Sequence, residues 1–154
     1  MDKVSVIIPT YNRFKYLLNT LDSVKKQDYE NIEIIVVNDC STQKDYYDYN
    51  FGDNVKIIHL KENSKTKFGY ACAAYVRNIG VLSSTGKYIV FCDDDDIWMP
   101  TKISKQLKGM NNTGCKMSCT MGYSSFGIYQ NDKKYKLYNE EQHFETLRNI
   151  YKRY

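Results

Sequence analysis

Residues Lys87-Tyr88-Ile89-Val90-Phe91-Cys92 run without a break into Asp93-Asp94-Asp95-Asp96. The first part is short, apolar and entered through the turn signal Ser84-Thr85-Gly86, so it reads as a strand. The second part sets four carboxylates in a row where that strand ends. Crowded like charges raise at least one carboxyl pKa, splay the loop, or recruit a cation. A hard divalent ion fits this donor chemistry: Mg2+ or Mn2+ takes one or two carboxylates and fills its remaining positions with water and phosphate oxygens. The alternative is a solvated acidic turn. The other strand ends separate the two readings.

Three further apolar runs read as strands: Val4 to Ile8, stopped by Pro9; Ile32 to Val37, closed by Asn38-Asp39; and Val55 to Leu60. Phe14, Leu17, Leu18, Leu21 and Val24 recur at helical spacing on a stretch ending near Gln27. A weaker helical stretch separates the second and third strands. Residues 70–82 form a further helix, in which Ala71, Ala74 and Gly80 permit close approach to a sheet. Strands alternating with helices mean right-handed crossovers and a mostly parallel sheet sandwiched by helices, a Rossmann-like α/β fold. Ligands of such sheets bind outside the carboxyl ends of the strands. Pro9-Thr10-Tyr11-Asn12-Arg13, Asn38-Asp39 and the four aspartates all fall there, which favours a metal-phosphate site over a solvated turn.

Arg13 and Arg77 are each able to pair with a phosphate in two-point geometry or to form a surface salt bridge. Asp39 either accepts hydrogen bonds from a ribose or base edge or caps the following turn. Trp98, the one tryptophan, either covers a sugar face or packs in the core.

After Pro100 the pattern changes. Ile103, Leu107 and Met110 predict a helix from near Thr101, Lys116 to Tyr123 a strand, and Ser124 to Tyr138 a hairpin turning at Asn131-Asp132. A last helix begins at Asn139, with Gln142 as its capping-box partner. Its Phe144, Leu147, Tyr151 and Tyr154 line one face, and the two tyrosines are candidate contacts to a second copy of the chain or to a further C-terminal domain.

The 154 residues suit one domain, and 42% hydrophobic with 26% charged residues excludes a disordered chain. No apolar run approaches the ~20 residues of a transmembrane helix. The start of the chain does not read as a secretory leader, and five cysteines are an odd number, so free thiols in a reducing cytoplasmic compartment are expected. Cys115 and Cys119 would reach a metal only with His59 or His143, so a zinc site is not expected. Net charge is +4, with lysines scattered between acids, which is not a nucleic-acid footprint.

Four stretches carry a resemblance: Val4-Ser5-Val6-Ile7-Ile8-Pro9-Thr10-Tyr11-Asn12-Arg13, Ile35-Val36-Val37-Asn38-Asp39-Cys40-Ser41-Thr42, Ala74-Tyr75-Val76-Arg77-Asn78-Ile79-Gly80, and Phe91-Cys92-Asp93-Asp94-Asp95-Asp96-Ile97-Trp98-Met99-Pro100. In order and spacing they resemble the successive motifs of family 2 glycosyltransferases with the GT-A fold. The likeness covers about residues 3 to 110.

The resemblance implies that Pro9, Thr10, Tyr11 and Arg13 surround the nucleotide base and ribose. It implies that Asp39 hydrogen-bonds the base and that Arg77 contacts the nucleotide or its diphosphate. Asp93 and Asp94 would lie by the nucleotide, and Asp95, with Asp96 beside it, would hold Mn2+ or Mg2+. The implied donor is a nucleotide-diphosphate sugar, commonly UDP-linked, and the implied reaction inverts the anomeric centre. On this reading residues 1–154 are a single GT-A domain, with 1–100 the nucleotide-sugar-binding half and 101–154 a shortened acceptor-side region. Inversion needs a general base for the acceptor hydroxyl, and Glu140 and Glu141 are the candidates, although acids at a helix start also serve as caps. A nucleotide-sugar-binding domain without transfer, or a fragment of a longer transferase, is the alternative. A phosphatase would need its Asp-x-Asp at the first strand, and a nucleotidyltransferase a glycine-rich loop there; neither is present.

Overall fold

A computed structural model of the chain describes residues 1–124, 127–130 and 132–137. Two units are distinguishable, Met1–Ser104 and Lys105–Tyr154. The first is built on strands β1 (Val4–Thr10), β2 (Ile32–Asn38), β3 (Val55–His59) and β4 (Tyr88–Phe91), in the spatial order β3-β2-β1-β4. Every neighbouring pair is parallel, with Val4 opposite Ile32 and Tyr88, and Ile34 opposite Val55. The expected α/β sheet is therefore present, and the carboxyl ends of its strands share one edge.

Helix α1 (Phe14–Lys25) connects β1 to β2, and the four-residue α2 (Asp45–Asp48) lies between β2 and β3. Two helices, α3 (Ser64–Phe68) and α4 (Ala73–Leu82), connect β3 to β4. The separate α3 was not expected from the sequence. Asn63 starts it by accepting from the Lys65 N–H, and Gly69, at φ +81°, ends it in the left-handed conformation that glycine adopts freely.

Alternation along the strands divides the core. Ile7, Ile35 and Val37 meet Val76 of α4 on one face, with Ile58, Tyr75 and Ile79 packed around them. Val4, Val6, Ile8, Ile34 and Val36 point the opposite way and are also buried, matching the buried stripe Phe14, Leu17, Leu21 and Val24 of α1. Each fully buried aliphatic side chain contributes roughly 1.5–3 kcal/mol. Close approach of α4 depends on Gly80, where an added Cβ would fall against Ile7 Cγ2 and lie 3.2 Å from Val37 Cγ2.

Pro9 does not stop β1, contrary to the sequence expectation. Even-numbered residues of β1 bond toward β2, as Thr10 O accepts from Asp39 N, and odd-numbered ones toward β4, as Ile7 O accepts from Cys92 N. At Pro9 the missing N–H faces the side where β4 has already ended at Phe91, so no ladder bond is lost.

At the opposite edge, Glu33 ties the sheet to the turn before β4. It accepts from Ser5 Oγ at 2.5 Å, Thr85 N at 2.6 Å and Gly86 N at 3.1 Å, and pairs with Lys3 at 2.9 Å. Gly86 is required there, because a Cβ would lie 2.7 Å from Ser5 N and 2.9 Å from Lys3 O.

Helix α5 (Lys102–Thr113) starts near the end of the first unit, where Ile103 N donates to Gln27 Oε1 and Ser104 Oγ to Asp28. In the second unit, Gln106 Nε2 donates to Ser118 Oγ at 3.2 Å. The strand expected over 116–123 is not formed. That stretch is irregular and exposed up to β5 (Tyr123–Ser124), which pairs antiparallel with β6 (Lys136–Leu137). A strand persists only where a neighbour completes its ladder, and here two residues have one. The expected hairpin is thus present with very short arms. The expected turn residue Asn131, and the helix expected from Asn139 with Glu140, Glu141, Tyr151 and Tyr154, lie outside the described residues. Among the described residues no helix is long and apolar enough to cross a membrane.

Candidate functional site

The chain moves outward from β1 through β2 to β3, then returns across the sheet to β4 on the other side of β1. The crevice at the carboxyl ends of β1 and β4 is the topological switch point, where such sheets bind ligands. The segment after β1 brings Tyr11, Asn12 and Arg13 there, and the segment after β4 brings the four aspartates.

Asn12 shapes the first segment. It sits at φ +53°, a left-handed position that asparagine tolerates, and its Oδ1 accepts from Thr42 N at 2.8 Å and Thr42 Oγ1 at 3.2 Å. The β1 and β2 loops are thereby stitched together. Arg13 then reaches across the crevice, and its Nη1 donates to Asp95 Oδ2 at 2.6 Å and to Asp94 Oδ1 at 3.4 Å. Asp94 beside it is the leading cause of a raised Arg13 pKa. On the other side, Arg77 of α4 donates to Asp93 Oδ1. Each arginine of the sequence motifs therefore holds a carboxylate of the acidic run.

The four aspartates do not share one environment. Asp93 and Asp95 keep side-chain exposures of 52% and 44% and face the crevice opening with their arginines. Asp94 is only 6% exposed, and both its oxygens are engaged, one by Arg13 and the other by Thr10 Oγ1 at 2.7 Å. Burial pushes the Asp94 carboxyl up, while Thr10 and Arg13 pull against it. Burial also pushes Asp96 up, and Asp93 and Asp95 add to that. Alternation at the end of β4 turns Asp94 inward, between exposed neighbours.

Thr10, expected near a ligand, is likewise buried, its hydroxyl lying between Asp94 and the Tyr46 hydroxyl at 2.6 Å. Tyr11 remains exposed at the rim. Pro9 lies within β1, one residue below. Asp39 sits at the adjoining strand end, where its N–H donates to Thr10 O. Its carboxylate spans the start of α3, accepting from Ser64 N and Ser64 Oγ, each at 2.7 Å, and from Asn63 Nδ2 at 3.2 Å. The turn after β2 is held by Asn38 instead, whose Oδ1 accepts from Ser41 N at 2.9 Å. Trp98 is buried, with Lys102 Nζ 5.2 Å from its ring centroid, so core packing is its role in this unit.

Tyr46 was missed by sequence reasoning. It is one of 15 tyrosines, on a helix of four residues, and no spacing singles it out. Only its burial and its bonds to two motif residues do.

A family model described as glycosyl transferase family 2 matches residues 5–154. The chain belongs to this family. Among family members, the putative teichuronic acid biosynthesis glycosyltransferase TuaG of Bacillus subtilis is 37% identical over 125 residues, covering 79% of this chain and 46% of that protein. The UDP-Glc:alpha-D-GlcNAc-diphosphoundecaprenol beta-1,3-glucosyltransferase WfaP of Escherichia coli is 38% identical over 110 residues, covering 71% of this chain and 42% of its own length. The structure of S. aureus TarS 1-349 in complex with UDP superposes with a TM-score of 0.61 at 30% identity, covering 71% of this chain and 32% of that one. The family 2 chain described here thus spans less than half the length of these relatives, and its parallel sheet is the GT-A architecture that the sequence motifs implied.

Proposed function

We propose that this chain binds a nucleotide-diphosphate sugar in the crevice between β1 and β4 and takes part in transferring the sugar to an acceptor hydroxyl with inversion. The supporting observation is the pairing of both motif arginines with the acidic run, Arg13 with Asp95 and Arg77 with Asp93, across a topological switch point. Two arginines and two half-exposed carboxylates supply both kinds of partner that a metal-bound diphosphate requires.

The donor set fits Mn2+ or Mg2+. These ions take one or two carboxylates and complete their shell with water and phosphate oxygens, and among the described residues there is no three-ligand cluster of a dedicated protein cage. Asp95 would hold the ion, with Asp96 beside it. When bound, the ion stabilises charge on the departing nucleoside diphosphate. Arg13 and Arg77 exchange their carboxylates for diphosphate oxygens as the donor arrives. Tyr11 covers the nucleotide from the rim, Pro9 and Thr10 shape the wall beneath it, Asp93 lies by the ribose, and Asp39 presents its remaining acceptor capacity to the base. Residues 1–100 form this donor half and 101–154 the acceptor side, where Glu140 and Glu141 are the candidate bases. The donor names follow relatives and neighbours: WfaP is a UDP-Glc transferase and TarS holds UDP.

A second reading is donor binding without transfer, because the acids after Ser104 are Asp132, Glu140, Glu141 and Glu145, and none of them forms a Glu-Asp pair. Thermal-shift titration with UDP, GDP and dTDP, each with Mn2+, Mg2+ or EDTA, tests the donor site. A shift with one nucleotide that vanishes in EDTA is expected, and a ligand at a hundred times its Kd adds about 2.7 kcal/mol. No shift with any nucleotide refutes the reading. Release of nucleoside diphosphate from a sugar nucleotide then separates transfer or hydrolysis from binding alone.

A further inference from the structure

Tyr46, Thr10, Asp94 and Arg13 form a closed ring of hydrogen bonds beneath the crevice. Arg13 N donates to the Tyr46 hydroxyl at 2.9 Å. Thr10 Oγ1 donates to Asp94 Oδ2 at 2.7 Å, and with its single proton so engaged the Tyr46 hydroxyl donates to Thr10 Oγ1 at 2.6 Å. The ring closes where the Arg13 guanidinium meets Asp94, and the same Nη1 continues to Asp95. Thr20 of α1 pins the loop from below by donating to the Asp94 carbonyl at 2.9 Å. Tyr46 is 1% exposed, and its ring meets Phe14 edge-on at 5.3 Å, so its hydroxyl has little freedom to choose other partners.

We infer that Tyr46 and Asp94 are positioning residues for the donor site, holding Arg13 by its backbone and by its guanidinium so that it faces Asp95. The inference rests on the nucleotide-sugar reading and deepens it. It separates the acidic run into groups that face the ligand, Asp93 and Asp95, and one that serves them from beneath, Asp94. It also adds to the site a residue of the β2–β3 connection that none of the sequence motifs contains. Rings of this kind polarise one another in sequence, so loss of one member is felt by the rest.

The test is calorimetric titration of UDP with Mn2+ into the unaltered chain and into Y46F, D94N and S5A. Y46F removes one hydroxyl and keeps the ring. D94N keeps the shape and an acceptor for Thr10 but removes the charge facing Arg13. S5A removes a buried hydroxyl from the far end of the same strand and controls for lost stability. Y46F is expected to weaken UDP–Mn2+ binding about five- to tenfold and D94N more, whereas S5A lowers Tm and leaves affinity unchanged. Unaltered affinity in Y46F and D94N overturns the inference while leaving the donor site standing, and so does an equal loss in S5A. Absence of binding by the unaltered chain refutes the donor reading itself. In that case phenylglyoxal labelling of Arg13, followed by mass spectrometry, decides the positioning claim: faster labelling in Y46F than in the unaltered chain supports it, and equal labelling overturns it.

Discussion

Arg13 and Asp95 stand 82 positions apart in the chain and meet at 2.6 Å across the crevice between β1 and β4. The pair joins the end of the first strand to the end of the last strand of the sheet, and it puts a cation and a carboxylate where a metal-bound diphosphate would need both.

Asp95→Ala is expected to remove metal-dependent nucleotide binding. Asp95 is half-exposed and its ion pair is at the surface, so the fold should change by less than about 0.5 kcal/mol. Thermal shift with UDP and Mn2+ checks both parts: the ligand-induced shift disappears while the ligand-free Tm stays. A retained, EDTA-sensitive shift would exclude Asp95 as the ligand to the ion.

Arg77→Ala should weaken nucleotide binding about tenfold or more, the ordinary worth of a charged hydrogen bond to phosphate. Arg77→Lys should recover only part of it, since an ammonium lacks the planar fork. Raising the salt concentration should weaken the unaltered chain more than the alanine variant, because one screened charge pair has been removed. Titration calorimetry at two ionic strengths measures this.

The Glu33 clamp predicts a pH dependence of stability. Burial opposes ionisation of Glu33, but bonds from Ser5, Thr85 and Lys3 together outweigh it and hold the carboxyl at about 2, below its ordinary 4.5. A depressed folded-state pKa contributes stability that is complete above 4.5 and is lost as pH falls toward 2. Glu33→Gln should cost on the order of 1 kcal/mol at neutral pH, with the two stability curves converging near pH 2. Urea unfolding across that range reads the difference, and parallel curves would rule out the clamp as their source.

Gly80→Ala exchanges a gain for a larger loss. Alanine improves helix propensity by about 1 kcal/mol, but its Cβ has no room against Ile7 and Val37, and overpacking costs about 1–3 kcal/mol. A net loss of stability is expected, with nucleotide affinity little changed, since Gly80 faces the core and Arg77 lies almost one turn earlier on α4. A more stable variant would mean that α4 shifts away from β1 without penalty.

Much of this fold is legible in local pattern. The runs at Val4, Ile32, Val55 and Lys87, and the stripe from Phe14 to Val24, announce strands and a helix because burial imposes a period on them. Their alternation then dictates a parallel sheet, and a parallel sheet places every strand end on one edge. That is why Arg13, Asp39 and Asp93 to Asp96 could be expected at one edge of the sheet from the sequence alone. The irregular chain over 116–122 was misread for the converse reason: strand propensity is realised only when a neighbour completes the ladder, and the sequence of one segment does not say whether it has a neighbour.

Which aspartate faces outward is a different kind of fact. Four identical residues in a row carry no local difference, and only the direction in which β4 delivers them buries Asp94 and leaves Asp93 and Asp95 half-exposed. Tyr46 is the same case, one tyrosine among 15 until tertiary packing sets its hydroxyl against Thr10 and Arg13. By itself the sequence determined the four strands of the parallel sheet, the helices α1 and α4, their order and the edge at which the strands' polar ends collect, because these follow from hydrophobic period and chain handedness. Tertiary structure alone decided which charged groups meet and which are withdrawn, because pairing across 82 residues depends on the register of the sheet and on the space left between packed side chains.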